Sequence, residues 1–295
     1  MKAFTLGAAL VLAVGCGDDG GPETTLYERL GQEPGITAVV GDFVDRVLDD
    51  PAINGYFLNT SVDQSRLETC LVKQIGNASG GPEVYPDPQA GCRDMAAAHQ
   101  GLSISQQDFE DLVGHLEAAL TAAAVPSADR DAVLGVLGPL APDIVEDPSN
   151  DATVYQRVGR KPAIQQVIAG LLTEITGDAR INGFFTGLTS TDRISTCLVR
   201  QVCGIDGPCV YGAEVTHPAD PGVTAELPCR DMVSAHVGLV DDQSNPITVA
   251  DFDALVEDLI VVLDTTAAST ADKMALLGAL GPMCADIVSD PENCP

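Results

Sequence analysis

The sequence predicts an all-α protein, built as two tandem copies of one small helical domain. Apolar residues recur at helical spacing nearly throughout, as in Ile36, Val39, Val40, Phe43, Val44, Val47 and Leu48. No segment alternates with a period of two for long enough to demand a sheet. Whole phrases are also written twice. Cys92-Arg-Asp-Met95-Ala-Ala-Ala-His99-Gln-Gly-Leu102 returns as Cys229-Arg-Asp-Met232-Val-Ser-Ala-His236-Val-Gly-Leu239. A chain of 295 residues is long enough for two domains that each bury a core.

The first segment belongs to neither copy. Lys2 precedes an apolar run from Ala3 to Val14, too short to span a bilayer, which reads as a secretory signal. Small residues lead into Cys16 as in a bacterial lipobox, with Ala13 rather than Leu12 three residues before the cysteine. Lipidation of Cys16 would then anchor an exported protein on the periplasmic side of a bacterial membrane or at the cell surface. The alternative is an ordinary secretory signal with an incidental cysteine. Residues 1–16 are therefore expected to be a lipoprotein-type signal peptide, and the Gly- and Asp-rich residues 17–23 a tether.

Copy one is expected over 24–147 and copy two over 152–291, joined at the breaker-rich Asp147-Pro-Ser-Asn-Asp151. After the helix through Phe43, a middle helix is expected from about Val62 to Gly76, followed by a Gly/Pro loop, Gly76 to Gly91. A short helix carries His99. Ser105 with Asp108 three residues on resembles a capping box and opens the helix of Phe109, Leu112, Val113, Leu116 and Leu120. Val133, Leu134, Leu137 and Leu140 mark one last helix. Copy two repeats the series. Ile53-Asn-Gly-Tyr-Phe57 matches Ile181-Asn-Gly-Phe-Phe185, and Leu134-Gly-Val-Leu-Gly-Pro139 matches Leu277-Gly-Ala-Leu-Gly-Pro282. Insertions around Ala213–Glu226 and Asp241–Pro246, rich in turn residues, read as loops.

A formal charge of -28 argues against nucleic acid and anionic membrane surfaces as partners, leaving Cys16 as the one route to a membrane. With Cys16 set aside from nine cysteines, eight remain, an even number in an exported chain. Cys70 in Thr-Cys-Leu-Val-Lys-Gln matches Cys197 in Thr-Cys-Leu-Val-Arg-Gln, and Cys92 matches Cys229, so the economical pairing is Cys70–Cys92 and Cys197–Cys229. Cys203–Cys209 would clip a loop, and Cys284–Cys294 would tie down the tail. Metal ligation is the rival, but no Cys-x-x-Cys pair exists and the cysteines stand far from the histidines.

The chain has four histidines, and His115 and His217 have no counterpart in the other copy, whereas His99 and His236 are repeated with their flanks. Met95 lies one turn before His99 and Leu102 about one turn after, on much the same face, with Val44, Phe57, Leu67 and Leu71 as apolar neighbours from preceding helices. A single histidine among apolar residues is usually a satisfied core or surface residue. A repeated one fits the neutral imidazole that axial ligation of haem iron requires.

Each copy also resembles the group I truncated haemoglobins along almost its whole length. The resemblance is carried by Leu26-Tyr-Glu-Arg-Leu-Gly31, Ile36-x-x-Val-Val-x-Asp-Phe43, Tyr56-Phe57, Ser65-Arg-Leu67, Gly80-Gly-Pro-Glu-x-Tyr85, Met95-x-x-x-His99 and Gly114-His-Leu. Copy two keeps Tyr155-x-Arg157-x-Gly159, Phe184-Phe185, Gly207-Pro208, Tyr211, Met232 and His236. The resemblance implies two two-over-two helical globin domains, up to two b-type haems per chain, and small diatomic gases as ligands. His99 and His236 would be the iron ligands, and Phe57 and Phe185 would pack on the porphyrin. Leu67, Leu71, Met95 and Leu102 would line the first site, and Ile194, Leu198, Met232 and Leu239 the second. No Cys-x-x-Cys-His is present, so covalent haem attachment is not expected.

Two departures bear on chemistry. The family's distal tyrosine is Val44 here and Leu172 in copy two, and its distal glutamine is Leu71 and Leu198. Loss of a donor to bound dioxygen removes a charge-assisted hydrogen bond of about 1.5–3 kcal/mol. The expectation is therefore an apolar, five-coordinate site suited to carbon monoxide or nitric oxide. Gas binding is expected rather than turnover. Nitric oxide dioxygenation or haem redox chemistry would need an unidentified reductant. The competing reading is a haem-free, globin-derived structural or interaction lipoprotein.

Overall fold

The computed structural model describes residues 24–58, 63–212, 220–224 and 226–294. The signal-like run, Cys16, the tether, Val62 and His217 lie outside the described residues. Among the described residues the chain is helical, with isolated β-bridges and no strand.

Copy one opens with α1 (Leu26–Arg29), whose N-cap Thr25 forms a capping box with Glu28. Gly31, at φ 84°, turns the chain into α2 (Gln32–Asp49), a conformation that suits a residue without Cβ. The α2 stripe Ile36, Val39, Val40, Phe43, Val44, Val47 and Leu48 is buried throughout, as its spacing requires. A 3-10 turn, Asn54–Tyr56, leads on to Phe57. Helix α3 (Gln64–Ala78) begins where the Asp63 side chain accepts from the Arg66 amide, and it runs two residues past the expected end at Gly76.

Next comes α4 (Met95–His99), a single turn capped by Asp94 on the Ala97 amide. The Ser105–Asp108 capping box is present at the start of α5 (Gln106–Ala122). The expected last helix divides. Helix α6 (Ser127–Leu137) ends as Gly138-Pro139 enter a 3-10 turn, and α7 (Ala141–Ile144) follows, so Leu140 is not on the α6 stripe. Pro139 has no amide to continue the ladder.

Copy two repeats the order as α8 (Val154–Arg157), α9 (Arg160–Gly177), α10 (Asp192–Cys203), α11 (Met232–His236), α12 (Val249–Asp264), α13 (Thr270–Leu280) and α14 (Cys284–Ile287). Capping boxes recur at Thr153–Gln156 and Thr248–Asp251. Helix α2 packs on α3 and α5, and α9 packs on α10 and α12. The one-turn helices pack elsewhere, α4 on α7 and α11 on α14. Cys70 is joined to Cys92 and Cys197 to Cys229, tying α3 and α10 to the residues just before α4 and α11, with Cα atoms 5.3 and 5.5 Å apart. Cys203–Cys209 closes a loop after α10, and Cys284–Cys294 holds the tail.

Among the described residues each copy has a main apolar cluster and a smaller satellite, bridged by half-buried Tyr56 in copy one and Phe184 in copy two. In copy one the larger is built on α2 and includes Ile75, Leu116 and Leu120, while the smaller comprises Ile104, Phe109 and Ile144 with Met95 and Val113 packed on it. Copy two divides likewise, into a cluster on α9 and a second of Ile247, Phe252, Cys284 and Val288.

Candidate functional site

The repeated histidines close the one-turn helices α4 and α11. Each helix stops at once because Gln100 and Val237 turn to extended ψ values of 127° and 121°, and Gly101 and Gly238 then take positive φ. His99 Nδ1 lies 2.8 Å from the Met95 carbonyl oxygen, and His236 Nδ1 lies 2.8 Å from that of Met232. A carbonyl oxygen only accepts, so Nδ1 carries the proton and donates. With Nδ1 donating, Nε2 is the nitrogen left to carry a lone pair, and it has no hydrogen-bond partner among the described residues. Both rings are half-buried.

The larger cluster of each copy presents half-buried side chains at its margin. In copy one these include Phe57, Leu71, Val72 and Leu112, and in copy two Leu172, Phe185 and Leu198. Met95, one helical turn before His99, packs instead on the smaller cluster. A polar contact near the histidine runs from Gln74 Nε2 on α3 to Met95 Sδ at 3.7 Å. Copy two repeats it from Gln201 Nε2 to Met232 Sδ at 3.6 Å, with Met283 Sδ 2.7 Å from the same nitrogen.

The structure brings most of the sequence candidates to these walls but not all. Val44 is buried inside the larger cluster rather than at its margin. Leu67 and Ile194 are half-buried and belong to neither cluster, and Met232 is half-buried and outside both clusters of its copy. Leu102 and Leu239 lie past the ends of the helices that carry the histidines, in turns that bond back to the histidine carbonyls, and they are 44% and 39% exposed. Sequence reasoning passed over Gln74 and Gln201. Their signal was present, because both close the repeated Thr-Cys-Leu-Val-Lys/Arg-Gln phrase.

The unrepeated His115 has a structural partner. Its Nε2 lies 2.7 Å from Asp50 Oδ2. Copy two has Asp258 at that position, with Arg180 lying between Asp178 at 2.7 Å and Asp258 at 3.9 Å. Burial and the nearby Asp178 carboxylate raise the pKa of Asp258, while Arg180 opposes the rise.

Among the described residues no three His, Cys, Asp or Glu side chains gather as a metal site. A lone imidazole nitrogen beside apolar walls therefore suits a metal that brings its other donors with it, in a flat apolar macrocycle. The donor set and the half-buried apolar side chains beside it fit such a group.

Part of the chain is similar to known proteins. The family model described as bacterial-like globin matches residues 25–146. The group 1 truncated hemoglobin of Mycolicibacterium paratuberculosis is 36% identical over 130 residues, 44% of this chain and 90% of the relative. That of Nostoc sp. (strain MUN 8820) is 31% identical over 111 residues, 38% of this chain and 88% of the relative. Among solved structures, truncated hemoglobin from Tetrahymena pyriformis in its Fe(III) form is similar at 26% identity, covering 41% of this chain and 98% of that one, with a TM-score of 0.38.

Proposed function

This chain belongs to the bacterial-like globin family, and from that premise we propose that it holds b-type haem at His99 and at His236 and binds diatomic gases beside apolar walls. His99 and His236 would hold the haem through Nε2, and bound haem would supply an iron that binds O2, NO or CO. The observation that carries the reading is the Nδ1–carbonyl bond in both copies, which turns an unpartnered Nε2 lone pair away from its own helix. A hydrogen bond of this kind fixes the tautomer and the ring of a metal-binding histidine.

The chain's own residues would then act as a shaped, water-excluding enclosure. Phe57 and Leu71 would contact one face in copy one, as would Phe185 and Leu198 in copy two, with Met95 and Met232 near the histidines. Leucine at 71 and 198, and Val44 and Leu172 on the helices before them, offer a gas ligand no hydrogen bond. Carbon monoxide and nitric oxide depend less on such a donor than dioxygen does. The amides of Gln74 and Gln201 are turned to methionine sulfur. Export and lipidation at Cys16 complete the proposal and place the sites on the outer side of a bacterial inner membrane or at the cell surface.

The test is to load purified protein with hemin, reduce it and add carbon monoxide. The expected record is a five-coordinate ferrous spectrum that shifts on carbon monoxide. A bis-histidine or His–Met six-coordinate ferrous spectrum would contradict the apolar, open site. Failure to take up hemin would favour a haem-free structural or interaction lipoprotein.

A further inference from the structure

Several residues by which copy two departs from copy one stand at its contact with copy one. Arg160 and Lys161 stand where copy one has Gln32 and Glu33, at the first two positions of matching helices. The half-buried Lys73–Asp87 pair of copy one, at 3.0 Å, has as its copy-two parallel the buried Arg200–Asp220 pair. The Cys203–Cys209 clip has no cysteines opposite it in copy one.

That face is docked on copy one. Lys161, 5% exposed, donates from Nζ to Asn54 Oδ1 at 2.9 Å. Arg160 Nη1 reaches Asp108 Oδ1 at 2.8 Å and Asp111 Oδ2 at 2.7 Å. The Tyr155 hydroxyl donates to the Ala52 carbonyl at 3.4 Å. Gly55 lies beneath the clipped loop, where a Cβ would stand 2.9 Å from Pro208 Cγ and 3.3 Å from Cys209 Sγ. The Tyr56 hydroxyl donates to Asp108 Oδ2 at 3.0 Å, so Arg160 reaches Tyr56 through one carboxylate.

Residues 52 and 54 thus accept from copy two, Gly55 lies against its clipped loop, Tyr56 is linked to Arg160 through Asp108, and the next residue is Phe57. Among the described residues the matching segment of copy two accepts no such bonds from copy one. Phe184 replaces Tyr56, Asn182 is half-buried where Asn54 is 1% exposed, and Gly183 faces Asp241 and Asp242 of its own copy.

We propose that copy two is a positioning element for the first haem site, with Arg160, Lys161 and the 203–209 loop fixing the turn that sets the Phe57 wall. The assignment rests on the reading of Phe57 and His99 as haem contacts. Buried, charge-assisted hydrogen bonds hold a segment more rigidly than exposed turns do, and a site's retention of its ligand follows the rigidity of the residues supporting it. The two sites are therefore unequal, and the inequality runs in one direction.

The test uses the full chain and two readouts. In hemin-free protein, amide hydrogen exchange over 52–57 is expected to be at least tenfold slower than over 180–185. Arg160→Gln with Lys161→Glu, which restores the copy-one residues, should abolish that difference. In hemin-loaded protein carrying His236→Ala, the same double substitution should speed hemin transfer to an acceptor apoprotein about tenfold, and in the His99→Ala background it should change nothing. Tyr56→Phe guards against a junction variant that fails to fold, because copy two already carries phenylalanine there. It should speed loss from the first site severalfold, while Arg160→Lys should retain slow loss. Equal exchange of the two segments in the wild type, or a junction substitution that affects both sites alike or neither, overturns the assignment alone. A protein that takes up no hemin overturns the haem reading and this assignment together.

Discussion

Asp108 and Asp251 occupy matching positions in the two copies, and the structure predicts that removing them has very different costs. Each completes a capping box, Asp108 with Ser105 and Asp251 with Thr248. Asp251 does nothing else among the described residues, and its bonds are exposed. Asp108 is 3% exposed and also accepts from the Tyr56 hydroxyl at 3.0 Å and from Arg160 at 2.8 Å. Losing a capping interaction costs about 1 kcal/mol. Breaking a buried ion pair from one side costs about 3–5 kcal/mol, because the remaining partner is left without its counter-charge. Asp111 still holds Arg160 at 2.7 Å, which favours the lower end of that range. Asp108→Ala should therefore lower stability by about 2 kcal/mol or more beyond Asp251→Ala. Urea unfolding followed by circular dichroism measures both, with the wild type as reference. Equal losses for the two variants would refute the claim that Asp108 carries the junction as well as its cap.

Three further outcomes follow from the same structure. Ser269 and Arg157 hold the Asp272 carboxyl below its ordinary value of 3.8, so its contribution is present above that pH and is lost as pH falls through the lower folded value. The gap in melting temperature between wild type and Asp272→Asn should stay constant from neutral pH to about 4 and close below it; a gap that opens on acidification would contradict the sign. Leu71→Gln should restore a donor worth about 1.5–3 kcal/mol and slow dioxygen release from the first site ten- to hundredfold in stopped-flow measurements, with no change at the second. Replacing Cys70 and Cys92 together by serine opens a link across 22 residues and should cost about 3 kcal/mol in urea unfolding, which an unshifted midpoint would exclude.

The helices were largely legible because each has its signal nearby in the sequence. The α2 stripe and the Ser105–Asp108 box are read within a few residues of where they act. The division of the last helix was written in Gly138-Pro139, yet the apolar spacing through Leu140 hid it. At the site, the repeated phrase pointed to His99 and His236, but helical spacing carried the helix on past them to Leu102 and Leu239, which it does not reach. Only the extended Gln100 and Val237, together with Gly101 and Gly238 at positive φ, end those helices early. Gln74 and Gln201 escaped because what they touch lies 21 and 31 residues away. The junction was least legible. Lys161 and Asn54 are 107 residues apart, and no period or cap relates residues on different domains.

The central claim is that each imidazole holds its own haem. Hemin titration monitored at the Soret band tests it most directly, on the wild type, His99→Ala, His236→Ala and the double variant. The account predicts two hemins, one, one and none. Full uptake by the double variant, or none by the wild type, would contradict it.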